Sequence, residues 1–120
     1  MEIPVNAQTV KVSLAPDPSK INAPGGVLAW TSLDPIIIIG LVIDITTPAA
    51  AKKAAHVDFG AVDDPGKKND NLISKQDVSK PGAFGGNVPQ KNFCVTGTTV
   101  DKEDASGLQG FAYITYLPTT

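Results

Sequence analysis

The chain has 120 residues and a net charge of −2, and all ten of its basic side chains are lysines. This length allows one domain with a modest core, and the lack of arginine argues against nucleic-acid recognition, which usually relies on guanidinium contacts. The single cysteine, Cys94, excludes an intrachain disulfide.

Residues 1–25 are predicted to form an extended N-terminal arm, because prolines disfavour both helices and central strands. Within this arm Thr9–Leu14 alternates between polar and apolar residues, which predicts an edge strand. Such a strand pairs with its own sheet or with a neighbouring protein. The apolar positions of this strand are our candidate partner-binding residues: Val10, Val12 and Leu14.

Residues 26–120 are predicted to form a single β-rich domain. The Ile36–Ile45 segment is rich in β-branched residues and its first half is apolar on both faces, so we expect a central strand there. The fold class is therefore mainly β, with a compact sandwich-like or barrel-like body. The remaining strands are predicted at Val27–Trp30, His56–Val62, Phe93–Thr99 and Gly110–Leu117.

Three segments between these strands follow other patterns. Thr47-Pro48 resembles a helix N-cap followed by a proline at the first helical position, and Asp101–Ala105 has a capping residue, so each predicts a short helical turn. Residues 63–92 are rich in Gly, Pro, Asp, Asn and Lys. We expect a long polar loop there, either functional in itself or containing short strands.

The chain contains few groups that could perform chemistry. His56 and Cys94 would form a nucleophilic pair only if the fold brought them together, and we expect instead a strand-end histidine and a buried thiol. The acidic residues near Asp63 and Asp101 lack the spacing of a calcium loop. The sequence thus predicts no catalytic residue, cofactor or metal site, and a small enzyme that uses Cys94 and His56 is the least favoured hypothesis.

The aromatic residues suggest a different function. Trp30, Tyr113 and Tyr116 would stack on sugars if they were exposed together. This arrangement is the basis of an alternative hypothesis, a β-rich module on a virion or cell surface that binds glycans or a receptor. Packing in the body is the simpler expectation for most of these rings, and for Trp30 burial in the body and a subunit contact both remain open.

Membrane insertion and secretion are not expected from the sequence. The longest apolar run, Ile36–Ile43, is much shorter than the about 20 residues of a transmembrane helix. The first residues, MEIPVNAQ, lack the basic and apolar regions of a signal peptide. We therefore expect a protein that is made in a cytoplasm and does not bind a membrane.

Several short segments resemble one family. They are APGG at Ala23–Gly26, LAW at Leu28–Trp30, IIGLVID at Ile38–Asp44, GAV at Gly60–Val62 and GFAYITYL at Gly110–Leu117. Together they resemble the head-decoration (cement) proteins of tailed bacteriophages, the lambda gpD-like group. The resemblance covers about half of the chain and leaves Asp64–Asn92 without a counterpart.

This resemblance implies a function through binding and assembly. Proteins of that group are compact mixed-β folds that sit as homotrimers at three-fold positions on the outside of the virion, where their arms lie against the major capsid protein. It implies that Val10, Val12 and Leu14 belong to the capsid-binding arm. The expected partners are thus the major capsid protein and two further copies of the chain, with no nucleic acid and no membrane.

Overall fold

The computed structural model describes residues 6–14, 26–50, 55–86 and 89–118. These residues form a mainly β, sandwich-like body of two antiparallel sheets, so the predicted fold class is confirmed. The nine strands are β1 (Gln8–Ser13), β2 (Leu28–Thr31), β3 (Ile36–Thr47), β4 (His56–Val62), β5 (Ile73–Asp77), β6 (Gly82–Gly86), β7 (Gln90–Lys91), β8 (Cys94–Thr99) and β9 (Gln109–Pro118).

The first sheet has the order β1-β9-β3-β6, and β7 pairs with the beginning of β3. The isoleucine-rich β3 lies between β9 and the β6 and β7 strands, as predicted for a central strand. Its pairing with β9 shifts by one residue between Ile38 and Gly40. Ile36 and Ile38 are buried before this β-bulge, and Leu41 and Ile43 are buried after it.

The second sheet has the order β2-β8-β4-β5. In β8 the Cβ direction of Gly97 points towards Phe59 and Leu28, which identifies the inner face. One hydrophobic core joins the inner faces of the two sheets. Its members include Leu41, Ile43, Ala112 and Ile114 from the first sheet, and Leu28, Val57, Phe59 and Val95 from the second.

The predicted boundary at residue 25 is wrong for the part of the arm that the structure describes. β1 pairs along its length with β9, from Gln8 opposite Tyr116 to Ser13 opposite Phe111. Leu14 has no exposed surface and belongs to the core, because the apolar face of the strand is covered by its own sandwich. Residues 1–5 and 15–25, which carry the prolines of the arm, lie outside the described residues.

The predicted long loop at 63–92 contains three strands, β5, β6 and β7. Their sequences, ISKQD, GAFGG and QK, have little β propensity. Pairing with β3 and β4 nevertheless holds them in the sheets, because ladder hydrogen bonds depend on the partner backbone more than on side-chain type.

The predicted helical turn at Asp101–Ala105 is absent from the structure. The chain makes a turn there, in which Glu103 N–H donates to the Val100 carbonyl at 3.0 Å and Lys102 has a φ of 66°. A left-handed residue at this position ends a turn and does not continue a helix. Of the other predicted helical turn, residues 51–54 lie outside the described part of the chain.

The segment 63–72 covers the outer face of the second sheet. Thr96 Oγ1 donates to the Lys67 carbonyl at 2.9 Å, and a Cβ on Gly60 would overlap the backbone of Asn69. All six residues of β8 are buried in consequence, since the core covers one face and this segment covers the other. We call residues 63–72 the covering loop.

Asn71 fixes the covering loop to the sheet. Its Oδ1 accepts a hydrogen bond from Ala61 N–H at 2.7 Å and its Nδ2 donates to the Ala61 carbonyl at 3.1 Å. The side-chain amide therefore takes the place of a backbone partner just beyond the end of the β4–β5 pairing, which reaches Phe59.

Asn71→Leu is expected to lower the free energy of unfolding by about 1–3 kcal/mol, because it leaves the buried Ala61 N–H without an acceptor. Asn92→Leu is the matched control, since Asn92 donates to the same carbonyl at 3.3 Å and its loss leaves the Asn71 contacts in place. Urea titrations of both variants measure the difference. An effect of Asn71→Leu no larger than that of Asn92→Leu would contradict the assigned role.

Candidate interaction surfaces

The structure does not bring His56 and Cys94 together. His56 begins β4, whereas Cys94 lies opposite Val62 at the other end of that strand. Six residues of extended chain separate the two positions, which corresponds to about 20 Å. Cys94 is fully buried on the face of the second sheet that the covering loop protects. Its Sγ lies 3.4 Å from Thr31 Oγ1.

His56 instead contacts Glu103. Glu103 Oε2 accepts the backbone N–H of His56 at 2.7 Å, and the histidine Nδ1 lies 3.1 Å from both carboxylate oxygens. This contact joins the turn after β8 to the beginning of β4. The lone histidine and one acidic residue of the 101–104 cluster are therefore close in space because they hold these two segments together.

The other carboxylates also form local contacts in turns. The ammonium group of Lys67, 2.9 Å from Asp63, lowers the pKa of that exposed carboxyl through a hydrogen bond and through its charge. Hydrogen bonds from the hydroxyl and the backbone N–H of Ser79 lower the pKa of Asp77. Within the described ranges, no group of three or more His, Cys, Asp or Glu side chains could hold a metal ion.

Trp30 and Tyr116 pack against each other between the two sheets. Their ring centroids are 5.5 Å apart, and the Tyr116 hydroxyl donates to Gln8 Oε1 at 2.9 Å. Both residues are partly buried and pack against the core, whereas Tyr113 lies on the outer face of β9. The three rings therefore do not form one exposed surface for sugar stacking. The sequence therefore grouped three aromatic residues that the fold separates.

The outer face of the first sheet is not covered by any described segment and has an apolar centre. Phe111 is 37% exposed and Val42 is 42% exposed. Tyr113 lies between them in the sheet, opposite Val42 and on the same side of β9 as Phe111. The ammonium group of Lys11 lies 4.1 Å from the centroid of the Phe111 ring, in a cation–π contact. We call these four residues the outer patch.

β1 forms one edge of the first sheet. Leu14 N–H donates to the Gly110 carbonyl at 3.1 Å, so this opposed pair is a hydrogen-bonded one. Hydrogen-bonded pairs alternate along an antiparallel ladder, which makes Val10 and Val12 the residues whose backbone groups point to β9. The N–H and C=O groups of Thr9, Lys11 and Ser13 therefore point away from the sheet, and no other described strand pairs with them.

This geometry changes the residues that a partner would contact. The candidate side chains Val10, Val12 and Leu14 face the core of the protein itself. A partner strand would pair with the backbone of Thr9, Lys11 and Ser13, which sequence reasoning assigned only to the opposite face. The alternation alone does not contain this information, because the backbone groups that point outward depend on the side of β1 on which its neighbour β9 lies.

Comparisons with family models, with curated proteins and with solved structures found no match for this chain. No described helix is long and apolar enough to cross a membrane. The family resemblance therefore rests on the short segments of the sequence, and the function has to be argued from the surfaces.

Proposed function

We propose that this protein decorates a viral capsid, where it binds the outer surface of the expanded head as a trimer and stabilises the shell. The resemblance of five short segments to phage head-decoration proteins supports this role. The mainly β body agrees with the fold that the resemblance implies. The observation that carries the proposal is the open backbone edge of β1.

The edge of β1 suits recognition by β-augmentation. An extended segment of the major capsid protein would add a strand beside Thr9, Lys11 and Ser13, and main-chain hydrogen bonds would supply the affinity. Lys11 lies at the centre of the strand. If two copies of β1 paired antiparallel around this residue, the two Lys11 side chains would lie opposite each other, and their like charges disfavour that pairing. An acidic residue in the partner strand would complement it.

Stabilisation of the shell follows from linkage. A protein that binds the expanded head and not its precursor stabilises the expanded state by RT ln(1 + [L]/Kd) per site. At a three-fold position three edges would bind at once, so three individually weak contacts would act together through avidity. No chemical step is needed for this function.

The direct test mixes the purified protein with expanded and unexpanded undecorated heads of the source virus and counts bound copies after sedimentation. Saturable binding to expanded heads alone, at a copy number that matches three-fold positions, is the expected result. Binding to neither form would refute the capsid role.

Lys11→Pro is expected to weaken capsid binding by about tenfold or more, which corresponds to about 1.4 kcal/mol. Proline removes an N–H that points away from β9 and is tolerated on an edge strand, so the body should remain folded. Lys11→Gln is the matched control, because it removes the charge and the cation–π contact but retains the N–H. Equal binding by Lys11→Pro and Lys11→Gln would contradict pairing at this edge.

Deletion of the strand would be a poorer test, because it would remove Leu14 from the core and unfold the body. The proline variant alters the edge alone. Circular dichroism and thermal unfolding of both Lys11 variants verify that the fold is retained.

The outer patch favours a second candidate, a surface module that binds glycans or a receptor. The exposed Phe111 ring lies next to Tyr113, and a sugar ring would stack on it by displacing the Lys11 ammonium group from its face. Saturable glycan binding that is lost in Phe111→Ala, together with no binding to heads, would favour this function over capsid decoration.

A further inference from the structure

The connection between β2 and β3 carries a side chain that the sandwich does not use. Leu33 is fully exposed, at 102% of its reference surface, whereas the other exposed large apolar residues of the described chain reach 42% at most. A single exposed leucine is common in soluble proteins. Three features next to Leu33 indicate a binding role for it: a hydrogen-bonded backbone, an apolar pocket and two unlike charges.

The backbone holds Leu33 in a defined position. Ser32 N–H donates to the Phe93 carbonyl at 2.8 Å, and Asp34 N–H donates to Ser32 Oγ at 3.3 Å. Pro35 then fixes the backbone before β3 begins. The backbone of this short, hydrogen-bonded connection therefore needs little further ordering when a partner covers Leu33.

A shallow apolar pocket lies beside this connection. Its volume is about 210 Å³, and its walls are Pro35, Ile36, Lys91, Asn92 and Phe93. An apolar cavity of about 150 Å³ accepts a benzene molecule, so this pocket has room for the branched end of a leucine side chain. We call Leu33 together with this pocket the β2–β3 tip.

The charges at the tip are complementary as well. Asp34 follows Leu33 directly, and Lys91 forms part of the pocket wall. Neither residue forms an ion pair inside the described part of the protein. An acid beside the protruding side chain and a base beside the pocket would meet when two tips come together, and such pairs fix the register of a contact.

We infer that the β2–β3 tip is a self-association surface, in which Leu33 of one copy enters the pocket of a second copy and Asp34 pairs with Lys91 of that copy. Protrusion and pocket lie side by side on the same chain, so two copies would exchange them across a two-fold axis. The contact is far smaller than the about 1,200–2,000 Å² of a stable interface. Association is therefore weak and depends on protein concentration.

Sedimentation equilibrium of the isolated protein, from about 10 μM to about 1 mM, tests this inference on the concentration scale of weak complexes. The weight-average mass of the wild type should rise across this range. Leu33→Asp should weaken association at least tenfold, because it places a carboxylate against the apolar pocket. The experiment needs no capsid, so its result is independent of the decoration role.

A charge exchange identifies the pairing. Asp34→Lys and Lys91→Glu should each weaken association, and the double variant should restore it. Asp101→Lys and Lys80→Glu make the same charge changes at exposed positions of the opposite end of the sandwich and should leave the mass unchanged. A wild type that stays monomeric, association that survives Leu33→Asp, or a double variant that fails to restore it would each overturn the inference.

Discussion

Leu14→Ala is expected to lower the free energy of unfolding by about 2–5 kcal/mol. Leu14 follows β1, has no exposed surface and packs in the core, where its Cδ1 lies near the Cα of Gly110 on the neighbouring β9. Truncation to alanine removes buried methyl groups and leaves a cavity that the sandwich fills only in part. Guanidinium denaturation followed by Trp30 fluorescence measures the change.

Leu33→Ala is the matched control for this prediction. The substitution is chemically identical, but Leu33 is fully exposed, so the free energy of unfolding should stay within about 0.5 kcal/mol of the wild type. If Leu14→Ala were as mild as Leu33→Ala, residues 8–14 would be an independent arm and not a strand of the body.

Gly60→Ala is expected to destabilise the protein by about 3 kcal/mol, at the upper end of the usual range for overpacking. The added Cβ would overlap the Asn69 carbonyl and would lie 2.6 Å from the Asn69 Cβ. Backbone on both sides of the contact prevents an easy adjustment. The covering loop would have to move away from β4, and the hydrogen bonds of Asn71 to Ala61 would be strained or lost.

Gly66→Ala is the control, because its Cβ would meet only the end of the flexible Asp64 side chain, at 3.3 Å. Its effect on the free energy of unfolding should stay within about 0.5 kcal/mol. Amide hydrogen exchange of β8 offers a second measurement, since loss of the covering loop exposes that strand in Gly60→Ala alone. Unchanged protection of β8 in Gly60→Ala would contradict the covering role.

The long apolar strands could be predicted from the sequence for a clear physical reason. β4 and β9 alternate between two faces in a period of two, which fits a half-buried pleated surface, and β3 begins with a run of β-branched residues that fits a central strand. β4 was predicted with its observed bounds, His56–Val62. The short strands β5 and β6 were not predicted, because their stability comes from the neighbouring backbone and not from their own side chains.

Residues 1–25 contain two local patterns that lead to different predictions, the prolines and the polar–apolar alternation. Prolines at positions 4, 16, 18 and 24 suggested that the whole N-terminal segment lies outside the body. The alternation of Val10, Val12 and Leu14 between them already describes a strand with one buried face. Burial of this apolar face stabilises the strand. The nearby prolines do not prevent strand formation, because they lie outside the strand itself.

The candidate surfaces were harder to predict than the core. An edge is a property of topology, and the position of β1 beside β9 depends on residues about 100 positions apart in the chain. The backbone next to Leu33 likewise lies beside Phe93 only because β2 pairs with β8. The sequence contains one local indication, a lone leucine in a short polar turn, but its meaning depends on the pocket beside it.

The covering loop gives the molecule a front and a back. The outer side of the loop, residues 63–70, is exposed throughout and carries charges of both signs, whereas the other broad side has the outer patch and the edge of β1. If the proposed edge and the outer patch both bound a partner, that partner would lie on the far side of the molecule from the covering loop. The polar surface of the loop, with its charges of both signs, would then remain in water.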